Sequence, residues 1–401
     1  MGRGGEEGVM TGSTTENSLL AELDADPYPV YARLREEQPV SLLPEVDQWL
    51  VTRWDDVQRV LADPGTFTTD IPAAPVVRLC GGPPLMNRNG AAHQDLRNAI
   101  EPDYAPHRVN DHVDAIVRPW AEKIIAELAP AGHAELVSAY FEPVATLSHA
   151  ELSGVDIADA GRLRWWGIAL IDALTNFSRD PAKETAVASA MADMDDVLTR
   201  ALARVRAAPD RSVLSHAVHA HRPTGEPRSD ADVLPVIKQL AQAQLQAGWV
   251  GAWTLRALLA DRGVLAEVSD DRWLVGAAVN EALRWTPPLG NVTRRTTRAV
   301  TLGGADVPAG AMLSVSVASA NRDERVFDDP DRFDVHRDVR TNLGFGAGPH
   351  GCPAFAFVMA TARTSLDVLL DRLPGVRPAP DWRPAPHGWK LRLPGPLDVV
   401  W

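Results

Sequence analysis

The amino-acid sequence predicts a mainly α-helical fold with small β-sheets near both ends of the chain. Patterns with helical spacing fill most of the chain before about residue 285, whereas short apolar runs separated by Gly and Pro turns dominate after it. No internal repeat or low-complexity linker interrupts the chain after its first residues. We therefore expect a disordered, polar and glycine-rich leader at 1–20, followed by one domain at 21–401.

The helical segments begin with two short patterns, at 29–36 and 54–61. The second carries Asp55 and Asp56 in its first turn, where acidic side chains interact favourably with the helix dipole. Between them, 48–52 (QWLVT) is β-like. Longer helices are predicted at 109–128, 159–177, 184–207 and 230–260.

Beyond residue 285 the pattern becomes β-like. Gly303-Gly304 and Pro308-Ala309-Gly310 predict tight turns. A last long helix is predicted directly after Cys352. The strands are predicted at 299–302, 311–317 and 391–400.

Composition excludes several classes of function. No run of about 18 apolar residues could cross a membrane, and the polar start has no apolar core for a secretory signal. The net charge of −13 argues against a nucleic-acid partner. Two cysteines cannot form a disulfide framework, which favours a cytoplasmic protein, so each thiol needs its own explanation.

Cys352 lies in the segment NLGFGAGPHGCPAFA (342–356), at the end of a glycine-rich loop and directly before the last helix. A helix start offers unpaired N–H groups and a partial positive charge, both of which favour a thiolate over a thiol. The glycines allow the backbone to run close to a large flat group. Cys80 lies in no such context and is interpreted as an incidental thiol.

The segment FGAGPHGC, ending at Cys352, resembles the heme-binding signature F-G-x-G-x-H-x-C-x-G of the cytochrome P-450 superfamily, bacterial type. The resemblance implies that Cys352 is the axial iron ligand of heme b, held between a distal and a proximal helix, and that a thiolate ligand assists O–O cleavage. It also implies that Phe345 packs beneath the heme, that Gly346 belongs to the same loop and that His350 reaches a propionate. Ala354 stands where the family has glycine.

Further segments support the resemblance, which runs from about residue 26 to the C-terminus. Glu281 and Arg284 resemble the family's E-x-x-R pair, whose spacing puts both side chains on one helix face. The segments NRD (321–323) and DPDRF (329–333) resemble its A-N-R-D and P-E-R-F segments. Arg332 would then complete a structural Glu–Arg–Arg network.

Three more side chains are implied to contact the heme propionates. His93 and Arg97 lie four residues apart and resemble the family's H-x-x-x-R pair. Arg294, or the adjacent Arg295, would supply the third contact.

The helix 230–260 departs from the family at the distal face. Members read A-G-x-[DE]-T-[TS], whereas this chain places Val250 at the acid and Gly251 at the alcohol, and neither can relay a proton. Several explanations compete: the substrate brings its own polar group, the reaction is radical coupling without oxygen insertion, the enzyme uses peroxide, or activity is lost. Gly251 could also make room for a bulky substrate, and Gln242, Gln244 and Gln246 could replace the relay.

Three segments, at 134–148, 281–288 and 387–401, resemble the guaiacol-type aromatic O-demethylase subfamily. An apolar and aromatic lining favours an aromatic substrate, although Trp249 and Trp253 could equally fill core volume. The loop 68–89 is expected to cover the site. The implied walls are Leu174, Phe177, Trp249, Val250, Trp253, Leu289, Asn291, Val292 and Trp389.

The resemblance therefore implies a monooxygenase that hydroxylates or O-demethylates an aromatic small molecule with dioxygen. Its electrons would come from a separate ferredoxin and ferredoxin reductase, or from a flavin iron–sulfur reductase. The alternative is a natural-product tailoring enzyme that couples aromatic substrates, such as tryptophan-containing cyclic dipeptides, by radical chemistry. Two further alternatives are a non-catalytic heme-binding protein and a heme-free protein in which Cys352 is a nucleophile.

Overall fold

The computed structural model describes residues 18–156, 159–176, 180–220, 225–338 and 342–401. Most of this part is helical, as the sequence predicts. The helices are α1 (Leu19–Ala25), α2 (Pro27–Glu37), α3 (Trp54–Ala62), α4 (Pro75–Cys80), α5 (Gly90–Ile100), α6 (Pro106–His112), α7 (Arg118–Leu128), α8 (Glu142–Ser153), α9 (Ala160–Thr175), α10 (Pro181–Ala207), α11 (Val213–His219), α12 (Asp230–Gln242), α13 (Gln244–Ala260), α14 (Arg262–Asp270), α15 (Leu274–Trp285), α16 (Val317–Ala320) and α17 (Phe355–Arg372).

The strands form small sheets built from both ends of the chain. The strands are β1 (Val40–Leu43), β2 (Gln48–Val51), β3 (Phe67–Thr68), β4 (His133–Glu135), β5 (Asn291–Thr296), β6 (Val300–Leu302), β7 (Ala305–Val307), β8 (Met312–Ser316), β9 (Arg377–Pro378) and β10 (Asp398–Val400). One sheet has the order β1-β2-β8-β5-β3, in which β2 pairs with β8 in parallel and the other pairs are antiparallel. A second has the order β4-β10-β9, and β6 pairs with β7.

Three predicted elements differ most from those in the structure. The helix predicted at 230–260 is divided at Ala243 into α12 and α13. The strand predicted at 391–400 is reduced to β10, because Leu391 and Leu393 make only isolated bridges. The helix predicted at 109–128 begins earlier, at Pro106, and contains a π-helical turn before α7.

The N-terminal segment becomes helical before residue 21. Residues 1–17 of the predicted leader lie outside the described residues, but α1 begins at Leu19. The Ser18 hydroxyl caps α1 by accepting a hydrogen bond from the Ala21 amide. Leu23 is fully buried, so a short apolar face fixes this helix on the domain.

α13 runs through the main hydrophobic core, where it packs against α8, α15 and α17. Nearly all of its residues are buried, which explains why its sequence is apolar on every side. None of the helices in the described ranges is long and apolar enough to cross a lipid bilayer. Cys80 is also buried, at the end of α4, and burial raises its pKa to about 12.

A buried ion pair on α15 holds the chain segment between residues 321 and 337. Arg284 donates from Nε and Nη2 to the two carboxylate oxygens of Glu281, at 2.8 and 2.7 Å, and both side chains are fully buried. The prediction that Arg332 completes this network is wrong. The Arg332 side chain is 69% exposed and only its carbonyl accepts from Arg284. Arg337 takes the expected place, since its Nε donates to Glu281 at 3.2 Å.

Candidate active site

Cys352 lies between a short 3₁₀ turn, Gly348–His350, and the start of α17. Its amide donates to the Phe345 carbonyl at 2.9 Å, which closes the loop on itself. Gly348 has φ +67°, and a Cβ there would stand 2.5 Å from the Leu61 carbonyl oxygen, so the turn requires glycine. The Ala354 amide lies close enough to the sulfur to act against the rise of its pKa. The loop therefore fixes the position of one thiol.

The protonation of this thiol differs from the sequence-based expectation. Burial raises the pKa of Cys352 to about 11, although the Ala354 amide and the Arg97 charge act in the opposite direction. Desolvation therefore outweighs the start of the helix, and the protein alone holds a thiol at neutral pH. A metal ion bound to the sulfur would replace this proton, because a coordinating thiol is deprotonated.

Two predicted propionate ligands lie side by side near the loop. The rings of His93 and His350 have centroids 4.4 Å apart. His350 Nε2 lies 3.1 Å from Asn89 Oδ1, whereas its buried Nδ1 has no hydrogen-bond partner among the described residues. Burial lowers the pKa of His350 to about 3, with His93 and the charges of Arg294 and Arg97 adding to the effect. These side chains therefore converge on one place.

Arginine side chains enclose the same place. Arg294 is buried on β5, donates to its neighbour's carbonyl at Thr293, and forms no ion pair with a carboxylate of the described ranges. Burial lowers its pKa to about 10. Arg97 donates from Nη1 to the Gly351 carbonyl at 2.5 Å and pairs with Glu101 at 2.7 Å. A buried guanidinium without a carboxylate indicates that a negatively charged group belongs there.

The residues present fit a heme with two propionates better than a bare metal ion. A single sulfur, an unpartnered imidazole nitrogen and a buried guanidinium match one iron ligand and two carboxylates. In the part of the chain that the structure describes, no three His, Cys, Asp or Glu side chains are close enough to hold an ion. Phe345 is half-buried in the loop and packs edge-on against Phe355 at 6.2 Å, and Gly346 adopts φ +72°.

Comparisons with known proteins agree with this geometry. The family model described as Cytochrome P450 matches residues 260–372. Cyclomarin C epoxidase CymV of Salinispora arenicola (strain CNS-205) is 32% identical, over 84% of this chain and 87% of its own. The chain belongs to the cytochrome P450 family.

Other relatives support the same assignment for this P450. Pulcherriminic acid synthase of Bacillus subtilis (strain 168) is 26% identical over 95% of this chain and 96% of its own. The crystal structure of P450BioI with a hexadec-9Z-enoic acid ligated acyl carrier protein has a TM-score of 0.85 at 20% identity, covers 95% of this chain and 99% of its own, and so shows the fold. The chain is a P450 oxidoreductase that binds heme through a cysteine thiolate and needs dioxygen and separate redox partners.

The P450 distal helix, α13, packs at two glycines against Phe141, in the turn directly before α8. A Cβ on Gly248 would lie 2.6 Å from the Phe141 carbonyl oxygen. A Cβ on Gly251 would lie 2.6 and 2.8 Å from Cδ1 and Cε1 of the Phe141 ring. The space that a threonine would need at residue 251 is therefore filled by Phe141. The Cβ direction of residue 251 points at the Phe141 ring and not into open space. This finding contradicts the sequence-based suggestion that Gly251 makes room for a substrate.

The remaining polar groups of α13 and the end of α12 differ in their surroundings. The Thr254 hydroxyl donates to the Val250 carbonyl at 2.7 Å, so its proton is engaged within the helix. Gln242 and Gln244 are buried, with their amide nitrogens directed at a sulfur of α10 and a carbonyl of α12. Gln246 is only half-buried. Of the three predicted glutamines, it is the one that keeps accessible surface.

The structure does not bring the predicted indoles of α13 together around one pocket. Trp249 is buried and donates from Nε1 to Glu142 on α8 at 2.8 Å. Trp253 donates to the Arg392 carbonyl at 3.2 Å, and its ring stacks with the Arg256 guanidinium at 5.0 Å. Both indoles thus fix α13 to its neighbours, which is the structural interpretation that the sequence left open.

Two other predicted wall residues hold the C-terminal loop. Asn291 is buried and donates from Nδ2 to the Tyr31 hydroxyl and the Trp389 carbonyl, at 2.9 and 2.7 Å. Trp389 packs into a cluster with Leu23 and Tyr31. It also borders a cavity of about 230 Å³ between α1, the end of α9 and the C-terminal loop. These contacts make Asn291 a structural residue, whereas Trp389 lines a space beside α9.

The remaining residues that were predicted to line the substrate site differ in burial. Leu174 on α9, and Leu289 and Val292 around the start of β5, are half-buried and keep accessible surface. Val250 is buried. Phe177 lies outside the described residues. The predicted covering loop, 68–89, contains α4, which packs against α9 and α12.

Three residues of the site were missed by sequence reasoning. Phe141 and Glu142 come from α8 and the turn before it, and their contacts with α13 have no signal in a helical pattern. Asn89, at the start of α5, could have been noted, because asparagine is common at helix starts and His93 follows one turn later. A surface cavity of about 520 Å³, lined among others by Pro353 and Phe355, opens beside the Cys352 loop.

Proposed function

We propose that this P450 oxidises an aromatic small molecule and supplies no acid–alcohol proton relay of its own. The observation that carries the proposal is the Phe141 ring against Gly251, which occupies the space of a side chain at the alcohol position. At the acid position, Val250 has no polar group. The substrate itself would therefore have to supply or organise the protons that the reaction consumes.

The protein's own residues would perform the remaining tasks. Cys352 would hold the iron, while His93, His350, Arg97 and Arg294 would hold the propionates. A bound heme thiolate supplies dioxygen activation and oxidation, chemistry that belongs to the cofactor. The buried, apolar α13 would exclude bulk water from the oxidised atom and would limit proton entry to groups carried by the substrate.

The aromatic substrate is supported by the apolar surface that remains accessible. Leu174, Leu289 and Val292 keep accessible surface and have no hydrogen-bonding side chains. Apolar side chains of this kind would suit a flat apolar ring. Relatives of this chain are named as an epoxidase of cyclomarin C and a synthase of pulcherriminic acid, so a natural-product tailoring role is part of the proposal.

A second candidate reaction is oxidative coupling of two aromatic radicals. It is compatible with the same feature, and it differs from oxygen insertion in that hydrogen-atom abstraction followed by coupling leaves no oxygen in the product. Electrons would come from a ferredoxin with its reductase or from a flavin iron–sulfur reductase. Both candidates share the aromatic substrate and differ in the fate of the oxygen atom.

The test uses the heme-loaded protein and two sets of probes, small methoxyarenes such as guaiacol and indole cyclic dipeptides such as cyclo(Trp-Trp). We expect members of at least one set to shift the Soret band, and no shift with any aromatic probe would overturn the proposal. Turnover under ¹⁸O₂ then separates the reactions, since a labelled product indicates oxygen insertion and an unlabelled dimer indicates coupling. The Cys352→Ala variant is the control, which should lose the red-shifted absorption of the reduced carbon monoxide complex.

A further inference from the structure

One face of α12 and α13 keeps accessible surface although both helices are largely buried. Gln239, Ala243 and Gln246 are half-buried along this face, at spacings of four and three residues. The opposite side is covered, because Gly248 packs on α8 and Leu245 lies against Gly167 of α9. The accessible face is therefore the side of α13 that points away from α8.

Gln246 is the polar group on this face that lies nearest to the missing relay. It precedes Val250, the residue at the acid position, by one helical turn, so the two share a face. Its side-chain amide makes no hydrogen bond with any residue in the described ranges, whereas Gln239 already accepts from the Met86 amide at 3.3 Å. The carbonyl and NH₂ of Gln246 are thus available to a ligand.

We propose that Gln246 binds an amide group of the substrate and so defines the substrate class as aromatic lactams. This inference rests on the proposed function. A primary amide presents an acceptor and a donor on neighbouring atoms. A lactam presents an N–H and a carbonyl on the same edge of its ring, so the two groups can form a pair of hydrogen bonds.

Because the surroundings of Gln246 are apolar, this pair of hydrogen bonds would make the site selective for lactams with a free N–H. Ala243, which keeps accessible surface, and Val250, which is buried, lie one turn before and after Gln246, and neither side chain can form a hydrogen bond with a polar substrate group. A substrate that lacks the N–H leaves one polar atom of Gln246 without its partner after water is displaced. We therefore expect roughly tenfold weaker binding for an aromatic lactam whose nitrogen carries a methyl group.

The experiment measures Soret titrations of the heme-loaded protein with three probes: cyclo(Trp-Trp), its N-methylated lactam analogue, and guaiacol, which has no amide. The wild type should prefer the free lactam over the N-methyl lactam about tenfold. Gln246→Leu should abolish this preference and leave the affinity for guaiacol unchanged. The matched control is Gln242→Leu, because Gln242 is buried against Met191 and should not affect any probe.

The outcomes separate this inference from the proposed function. If Gln246→Leu retains the lactam preference, or if the wild type shows none while aromatic probes still bind, Gln246 has no such role and the proposed function stands. If no aromatic probe binds the wild type, both proposals fail. An unchanged spectrum of the reduced carbon monoxide complex in Gln246→Leu shows that the heme site is intact.

Discussion

The contact between Phe141 and Gly251 predicts that Gly251→Ala destabilises the native chain but stabilises a variant that lacks the Phe141 ring. In the native chain, Gly251→Ala places a Cβ 2.6 and 2.8 Å from the Phe141 ring, and overpacking of this kind costs about 1–3 kcal/mol. Alanine is also better than glycine inside a helix by about 1 kcal/mol. The net change in the free energy of unfolding is therefore a loss of about 0–2 kcal/mol.

When Phe141 is first replaced by alanine, the ring is gone and only the helix preference of alanine remains. Gly251→Ala should then stabilise the protein by about 1 kcal/mol. Phe141→Ala itself should cost about 3–5 kcal/mol, because the ring is almost fully buried. The coupling energy of the double-mutant cycle is thus about 1–3 kcal/mol, large enough to measure.

Urea unfolding of the heme-loaded variants measures these differences. The control is Gly248→Ala, whose Cβ would meet the backbone carbonyl of Phe141 at 2.6 Å. Because the backbone stays when the ring is removed, Gly248→Ala should destabilise both backgrounds. If Gly251→Ala stabilises the native chain, or changes both backgrounds equally, the Phe141 ring does not fill the space beside residue 251, and the proposal that the protein supplies no acid–alcohol relay loses its support.

Two further predictions concern stability. Arg337→Ala should lower the free energy of unfolding in urea by about 1–3 kcal/mol, because it removes a donor to the buried Glu281. Arg332→Ala, whose side chain is exposed, should change it by less than about 0.5 kcal/mol. Equal effects would show that Arg337 is not the residue that completes the network of Glu281 and Arg284. The Asp103 carboxylate raises the pKa of His216 above its ordinary value of about 6.5, so this pair stabilises the fold below that pH and loses its effect as pH rises through the raised pKa. The difference in urea midpoint between the wild type and His216→Gln should therefore be largest near about pH 5.5 and shrink toward about pH 8.5, and a difference independent of pH would refute the assignment.

Local patterns were sufficient to predict the fold and the position of the thiol. The mainly helical class and the P450 family are confirmed, because helical spacing and a loop of fixed residue types are properties of short segments. The same applies to the pairing of Glu281 with Arg284, which lie three residues apart on one helix. The prediction of Arg332 as the third residue of this network was wrong, because Arg337 contacts Glu281 from a loop whose path no local pattern specifies.

The sequence alone determined that residue 250 is a valine and residue 251 a glycine, so that neither carries a carboxylate or a hydroxyl. Only the tertiary structure decided what lies beside Gly251, because Phe141 comes from the turn before α8 and meets Gly251 through packing. Tertiary contacts likewise directed Trp249 toward Glu142 and left Gln246 accessible. Residue type is written in the chain, whereas the direction of a side chain on a buried helix depends on which neighbour fills the adjacent space.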